Sequence, residues 1–515
     1  FLYFIALFLS YLFFSPIEMR RTVQRLVGVS GMAVFAPPCR VDLKEWCGWT
    51  GNNWSKVSSV VGESFRIPAH NENCYTMAAT AVLRLIIEND VDPKTVGFLG
   101  LGTESSTDNA AGSVIVRGMV DRALSQMGLA RLSRHCEVPE FKHACLGGIY
   151  AMKCGARYVQ TDGKDRVAIV VASDIAEYAR GSSGEQTQGA GAVAMLLENK
   201  PRLFQLDLNS TGSSSAYRGP DFRKPFKRHF MEGYGKVENG KIPDFPVFSG
   251  PYSTMVYLDE VTMAVEDMLA KLKTRPSDFY KEVSALFFHR PYNAMPIQAM
   301  SFLYTRGLAR STSSDNSKKF EELCAAAKVS PVQVRKELDL SPDFFELVEK
   351  DGKIPTDISK ATNTIAKLLR SDKHFTDLLA SKMSLGSPAM ANFGNLYTAS
   401  LPCWLAAGFE EAYEKKLDLA GRPMVMVGYG SGDASEAIPI TPVTGWEKAA
   451  SKIGVAKALE GSVNITKEQY EGLHSGLIKE DLATHRHRQF VVGHIGQRNE
   501  PTFQDIGIEY YQYKH

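Results

Sequence analysis

Cys145, Glu104 and His289 are the residues whose types and surroundings could carry covalent chemistry in this chain. Cys145 lies in HACLGGIYAM, residues 143–152, just ahead of Gly147 and Gly148, which allow a tight backbone turn into the helical run IYAMKCGARYV. A thiol at a helix start is expected to have its pKa lowered by the positive end of the macrodipole, and the thiolate is the nucleophile. The competing reading is a buried small hydrophobe. Glu104 follows a strand-like run and a Gly-rich bend in GLGTESSTDNAAG, where a carboxylate points either into a cleft or into solvent. His289 closes the apolar run LFFH directly before Arg290 and Pro291, a setting that suits a structural histidine as well as a catalytic one. Asn395 sits in the glycine-marked turn FGNLYTASLPCW, and Gly430, Ser431 and Gly432 form a turn in MVGYGSGDASEA. Such turns end strands, and they also present backbone N–H groups as an oxyanion hole needs them. Together these are a nucleophile, a carboxylate acid/base, a histidine and an oxyanion-type turn, the means to form an acyl-thioester and make or break a bond beside a carbonyl.

The elements that must position them read as an α/β alternation. GVSGMAVFAPP and TVGFLGLGTE predict strands, with helical spacing of apolar residues in NENCYTMAATAVLRLIIEND between them. RVAIVVASDIAEY, GAGAVAMLLEN, VSALFFHRP and RPMVMVGYGSG continue the β-rich series, and VYLDEVTMAVEDMLAKL is helical, so a sheet covered by helices is expected. At 515 residues the chain exceeds the roughly 250–300 at which single cores stop growing, so two halves are expected. The boundaries are an N-terminal half over 19–200 with Glu104 and Cys145, a long surface excursion over 201–250, and a C-terminal half over 251–465 with His289 and Asn395. A peripheral helical insertion spans about 312–380, and 466–515 form a tail.

Composition narrows the partners. The apolar fraction of 44%, charged fraction of 23% and formal charge of +2 are those of an ordinary globular protein and give no support for nucleic-acid binding. Cys39, Cys47, Cys74, Cys136, Cys145, Cys154, Cys324 and Cys403 are scattered without CxxC pairs or zinc-ligand spacing, so reduced thiols, a cytoplasmic location and no metal are expected. Residues 1–15, FLYFIALFLSYLFFS, fall short of the roughly 20 that span a membrane and lack a basic region before them. Residues 1–18 are read as either an artefact upstream of Met19 or a membrane anchor or targeting element, with membrane contact expected only if they are retained.

GTES at Glu104, HACLGG at Cys145, ASDIAEY at 172–178, EQTQGAGAVAMLL at 185–197, FHRPY at His289, GNLYTAS at Asn395 and GYGSG at 428–432 together resemble the 3-hydroxy-3-methylglutaryl-CoA synthase family. The resemblance covers roughly residues 25–435 in the family's order. It implies a thiolase-like five-layer αβαβα fold of two related halves, a homodimer, and condensation of acetyl-CoA with acetoacetyl-CoA for mevalonate and isoprenoid synthesis. Coenzyme A thioesters are then the substrates and no cofactor is required. In the scheme so implied, Cys145 takes the acetyl group, Glu104 removes a proton from the acetyl methyl, and His289 polarises the ketone of acetoacetyl-CoA. The N–H groups of Cys145 and Ser431 form the oxyanion hole; Asn395, Tyr397 and Ser431 position the second substrate, while Thr187 and Gly189 line its passage. Water then cleaves the thioester.

The chain departs from the family pattern at two places. Leu146 follows the nucleophile where an aromatic residue is common, and NAMPIQAM after FHRPY lacks the lysines that animal members use for CoA phosphates. Arg290, Arg223, Lys224, Lys227 and Arg228 are the candidates to replace them, although FRKPFKRHF reads equally as a solvated basic face. Two alternatives stay open: a β-branching synthase acting on a β-ketoacyl chain held by an acyl carrier protein, and an inactive thiolase-like scaffold. A thiolase proper is disfavoured, since the late CxG cysteine has no counterpart in GYGSG.

Overall fold

The structure is a computed structural model, and it describes residues 26–106, 108–224, 245–339, 342–355, 358–483 and 487–515. The expectations for residues 1–18, and for Lys227 and Arg228, lie outside the described residues.

Ten strands form one sheet: β1 (Val27–Phe35), β2 (Val96–Gly102), β3 (Glu140–Phe141), β4 (Val167–Ala176), β5 (Gly189–Asn199), β6 (Phe204–Leu206), β7 (Gly212–Ser215), β8 (Ala285–Phe288), β9 (Met424–Gly430) and β10 (Ala434–Pro442). Their order is β8-β9-β10-β6-β1-β5-β4-β2-β3, with β7 added beside β10. Parallel pairing joins β2 to β3 and β4 and joins β8 to β9, whereas β5 is antiparallel to both β1 and β4. Parallel neighbours need long crossovers, which is why the apolar strand runs are separated by helices.

Strands β1 and β2 are buried at every residue, so both faces of the sheet are covered. Side chains alternate between two cores: Ala33 and Phe35 pack with helices α1 (Cys74–Glu88) and α2 (Gly112–Gln126), while Met32 and Val34 pack with α3 (Gly147–Gln160) on the opposite face. Helix α1 starts at a reciprocal cap, in which the Asn73 side chain accepts the Thr76 N–H and the Thr76 hydroxyl accepts the Asn73 N–H. In the second half α4 (Gly250–Leu272), α5 (Ala294–Ala309) and α7 (Ser400–Glu414) pack around β8–β10, and α6 (Lys360–Leu369) packs on α5.

Three regions differ from expectation. Residues 201–250 are not all surface: β6 and β7 belong to the sheet, and Phe204 is fully buried. A three-residue strand is too short to display an alternation, so the sequence carried no strand signal there. The helices between 314 and 382 are not a peripheral layer, since Phe320, Val334, Ile365 and Phe375 share one core with α5 and β8. The tail is likewise built in: its helix Lys467–His474 packs on strands Cys39–Asp42 and Ser64–Ile67, and its strand Gln489–Ile495 lies against α1.

Candidate active site

Cys145 stands immediately before α3, on a turn in which Ala144 takes the left-handed conformation with φ 41°. The two glycines after Cys145 therefore do a different job from the one expected. They have ordinary backbone angles and permit close approach: a Cβ on Gly148 would lie 2.8 Å from the Ala172 Cβ, and one on Gly102 would lie 2.4 Å from the Gly148 Cα. This contact seats the start of α3 against the end of β2, where Glu104 follows. Cys145 Sγ then donates to Glu104 Oε2 across 3.6 Å.

Asp174, fully buried near the end of β4, fixes the Glu104 loop. Its Oδ1 accepts the Thr103 hydroxyl at 2.8 Å, the Glu104 N–H at 2.8 Å and the Ser105 hydroxyl at 2.8 Å. Its Oδ2 accepts the Thr398 N–H at 2.9 Å and hydroxyl at 2.5 Å. One carboxylate thus pins the acid/base loop to the Asn395–Thr398 segment. Burial raises the Asp174 pKa, and these donors oppose the rise.

The expected lowering of the Cys145 pKa is reversed. The thiol is pushed well above its ordinary value, chiefly by burial and then by the negative charges of Glu104 and Asp174. Before substrate binds, Cys145 is a neutral thiol hydrogen-bonded to a carboxylate, which makes Glu104 the adjacent proton acceptor. The helix-start argument lacked the facts of burial and of this neighbour.

The second half supplies the other wall. Asn395 Oδ1 accepts the Tyr397 N–H at 2.9 Å, its Nδ2 donates to the Tyr178 hydroxyl across 3.4 Å, and its backbone N–H donates to the Thr187 carbonyl. Tyr397 and Tyr178 are buried, and with Phe222 and Phe248 they make an aromatic wall around Cys145. Thr187 faces the same space, but Gly189 is absent from its lining: it lies beneath Asn395, where a Cβ would stand 2.3 Å from the Asn395 carbonyl oxygen. Its role is close packing rather than a passage.

His289 follows β8 and is buried, its N–H donating to the Val427 carbonyl and its carbonyl accepting the Tyr257 hydroxyl at 3.1 Å. Burial lowers its pKa to about 3, so the ring is neutral and able to donate one N–H to a carbonyl oxygen. Ser431 comes from the turn after β9. Gly430 there packs against the Cys145 turn so closely that a Cβ would lie 2.5 Å from the His143 carbonyl oxygen and 2.8 Å from the Leu146 N. Leu146 is fully buried against Gly428 and Gly430, so a wholly apolar side chain fits this position. Behind Ser431 the Tyr429 hydroxyl donates to Asp433 at 2.8 Å, and an Asp221 carboxyl oxygen lies 3.3 Å from the same hydroxyl. Burial and the Asp221 charge push the Asp433 pKa up to about 9, so this carboxyl pair holds a proton at neutral pH.

Cys145, His289, Asn395, Tyr397, Thr187 and Ser431 all open on one cavity of about 380 Å³. Glu104 lies behind Cys145 rather than in the lining. The expected phosphate-binding cations are largely elsewhere. Arg290 is buried, bonded to Ser387 and Asn293 and packed over Trp404; Arg223 bonds the Gly219 carbonyl and stacks on Tyr217. Lys224 Nζ reaches the Glu104 carbonyl at 3.4 Å. Among the described residues no cluster of three or more His, Cys, Asp or Glu could hold a metal ion.

Asp174 and Tyr178 carried no assigned role in the motif ASDIAEY, and Asp433 none beside GYGSG. An ionisable residue inside the apolar run VAIVVASDIA is the signal that marks Asp174, because a buried carboxylate needs dedicated partners. Tyr429 and Phe248, both facing the cavity, had no comparable signal.

Comparison with known proteins agrees with this geometry. Residues 23–201 match the family model for the hydroxymethylglutaryl-coenzyme A synthase N terminal, and residues 240–491 match that for its C terminal. The hydroxymethylglutaryl-CoA synthase of Haloferax volcanii is 23% identical over 93% of this chain and 99% of its own length. The cytoplasmic hydroxymethylglutaryl-CoA synthase of Gallus gallus is 24% identical over 86% of this chain and 78% of its own. Among solved structures, MvaS in complex with 3-hydroxy-3-methylglutaryl coenzyme A superposes with a TM-score of 0.72 at 22% identity, covering 95% of this chain and 100% of the other. The curacin biosynthetic pathway HMG synthase in complex with holo donor-ACP superposes at 0.67 and 18% identity with the same coverage. The fold is therefore thiolase-like.

Proposed function

We propose that this chain, which belongs to the hydroxymethylglutaryl-coenzyme A synthase family of condensing acyltransferases, joins acetyl-CoA to acetoacetyl-CoA through an acetyl-Cys145 intermediate and releases HMG-CoA. The observation that carries the reading is the Cys145–Glu104 contact at 3.6 Å, placed beside a cavity that His289, Asn395 and Ser431 also line.

The steps follow from the groups present. Glu104 accepts the Cys145 proton as the sulfur attacks the acetyl thioester carbonyl and returns it to the departing sulfur, so CoA leaves as the thiol and Glu104 is a carboxylate again. Glu104 then takes a proton from the acetyl methyl, the carbanion so formed adds to the ketone carbon of acetoacetyl-CoA, and the ketone oxygen receives that proton as it becomes the product hydroxyl. The neutral imidazole of His289 donates to the ketone oxygen, and the backbone N–H groups of Cys145 and Ser431 hold the thioester oxygen as it gains charge. Asn395 and Tyr397 position the second substrate. Water completes hydrolysis of the thioester, freeing Cys145. Capturing the acetyl group covalently makes the condensation intramolecular.

We place this reaction in mevalonate synthesis and in the cytoplasm, with a homodimer as the active form and coenzyme A thioesters as the substrates. No described helix is long and apolar enough to cross a membrane. A second reading, suggested by the likeness to the curacin HMG synthase solved with donor-ACP, is that one of the two thioesters arrives on a carrier protein.

Intact-protein mass spectrometry tests the proposal. Acetyl-CoA should add one acetyl group that Cys145→Ala does not take up, and an acetoacetyl-CoA chase should discharge it as HMG-CoA. An adduct stable to acetoacetyl-CoA but discharged by an acetoacetyl carrier protein would favour the second reading. A well-folded protein that takes no acetyl group overturns the assignment of Cys145.

A further inference from the structure

Asp221 and Asp433 are a buried pair of carboxyls that the reaction scheme does not use, and three parts of the site meet at them. Asp433 follows the Ser431 turn, and its Oδ1 accepts the Tyr429 hydroxyl at 2.8 Å and the Gly432 N–H. Its backbone exchanges two hydrogen bonds with Ala216, at 2.9 and 3.1 Å. These fasten the turn to the segment that carries Asp221 and then Phe222 of the aromatic wall around Cys145. The Tyr429 ring lies 6.2 Å from that of His289. The Tyr429 hydroxyl has one proton for two acids, and Asp221 Oδ1 and Asp433 Oδ2 are buried with no donor among the described residues. A proton on one carboxyl, hydrogen-bonded to the other, is the donor the pair lacks.

The surrounding charges do not replace that proton. Arg218, on the same segment as Asp221, spends its Nη2 on Asp259 and Glu260 of α4 and reaches Asp433 through its charge alone. Farther along β10, Glu436 is paired with Lys153 of α3. Burial raises the pKa of Tyr252 and Tyr257 on α4 and of Tyr429, so all three stay neutral, as does His289. Fully ionised, the four carboxyls around Arg218 would face that one cation.

We infer that the proton shared by Asp221 and Asp433 holds the Ser431 turn and the Phe222 wall in place at Cys145, so that its loss at alkaline pH shuts off acyl transfer. Asp433 is thus a positioning residue, and the inference rests on the acyl-transfer reading of Cys145. Once both acids are ionised, two like charges stand side by side away from water, and their repulsion acts between the turn and the segment 216–222. Burial and the Asp221 charge, which push the Asp433 pKa up to about 9, put this step above neutral pH. Asp259, raised to about 6, has already ionised there and adds no alkaline step.

The test follows Cys145 acetylation by acetyl-CoA across alkaline pH, by intact mass, in wild type, Asp433→Asn and Asp221→Asn. Either amide can donate to the remaining carboxylate, so each variant carries a single charge at this pair and has no shared proton to lose. The ratio of the wild-type rate to the Asp433→Asn rate cancels changes that come from Cys145 and Glu104. It should fall about tenfold between about pH 8 and 10 and recover on return to neutral pH. Infrared difference spectra of wild type against Asp433→Asn should show a protonated-carboxyl band that disappears over the same range. If Asp433→Asn does not fold, Asp221→Asn supplies the same ratio. A ratio flat with pH in acetylated protein overturns the inference alone, as does a fall that tracks loss of the folded circular-dichroism signal. If wild-type protein takes up no acetyl group at any pH, the acyl-transfer reading fails and the role of the pair with it.

Discussion

Cys145 and Glu104 meet across 3.6 Å although they are 41 residues apart, and the hydrogen bond runs from thiol to carboxylate. The carboxylate raises the thiol pKa, adding to the larger effect of burial. Glu104→Gln removes that charge, so the pH limb of Cys145 alkylation by iodoacetamide should move to lower pH in this variant. A limb that stays in place would show that the two groups are not electrostatically coupled.

The same variant should separate the two halves of the reaction. Deleting a general base costs roughly 10²–10⁴-fold. Glu104→Gln should acetylate more slowly, because Cys145 loses its proton acceptor, yet the acetyl-enzyme it forms should persist under acetoacetyl-CoA while HMG-CoA formation falls by that factor, as read by single-turnover assay. Full condensation by Glu104→Gln would remove Glu104 from carbon-acid chemistry.

His289 predicts a pH dependence of stability. Its folded pKa is lowered to about 3, whereas the unfolded ring titrates near pH 6.5. Below about 6.5 the unfolded chain binds a proton that the folded one does not, so stability falls as pH falls and is fully present above that value. At pH 5 the His289 contribution to the loss is about 2 kcal/mol. In urea melts His289→Asn should lose less stability than wild type between pH 7 and 5. The ring stays neutral over that range, so the condensation rate should show no His289 limb near pH 6.5.

Asp174→Asn tests the pin between the two walls. The amide turns a donor toward hydroxyls and N–H groups that now meet a carboxylate, and the expected loss is about 2–3 kcal/mol by urea denaturation. Thr398→Val, which removes one hydroxyl, should cost about 1 kcal/mol. Condensation should fall more than stability explains in Asp174→Asn, because the Glu104 N–H loses its anchor.

Gly430→Ala should cost about 1–3 kcal/mol and slow acetylation, since the new methyl would press on the His143 carbonyl and Leu146 N of the nucleophile turn. Gly118→Ala is the matched control. It sits in α2 with open space around it, so the substitution should stabilise the protein by about 0.5–1 kcal/mol and leave the rate unaltered.

Cys145, Glu104, His289 and Asn395 could be read from the sequence because each stands at a strand end or turn flanked by apolar runs or glycines that announce it. What the sequence hid was burial. The helix start before α3 argued for an acidic thiol, yet removal from water and two carboxylates decide the opposite. Arg290 looked available beside His289, but it is spent on Asn293, three residues on, and on Ser387 and Trp404, which are far along the chain. Gly147, Gly148 and Gly189 looked like turn and passage residues and proved to be places where backbones touch. Strand β6 had too few residues to show a period.

Strand β6 also decides where parts of this protein can be exchanged with those of a relative. Phe204 pairs with Val29 on one side and with Pro442 on the other, and β7 beyond it pairs with β10. The interval between the two family-model matches, from 201 to 240, thus contains strands that finish the C-terminal half's part of the sheet. A chimera joined within that interval after Ser215 would give the C-terminal half of one parent two strands of the other. A junction between Asn199 and Phe204 keeps β7 and β10 from the same parent, and within the ten-stranded sheet it leaves the short β1–β6 seam as the strand pairing to be matched between them.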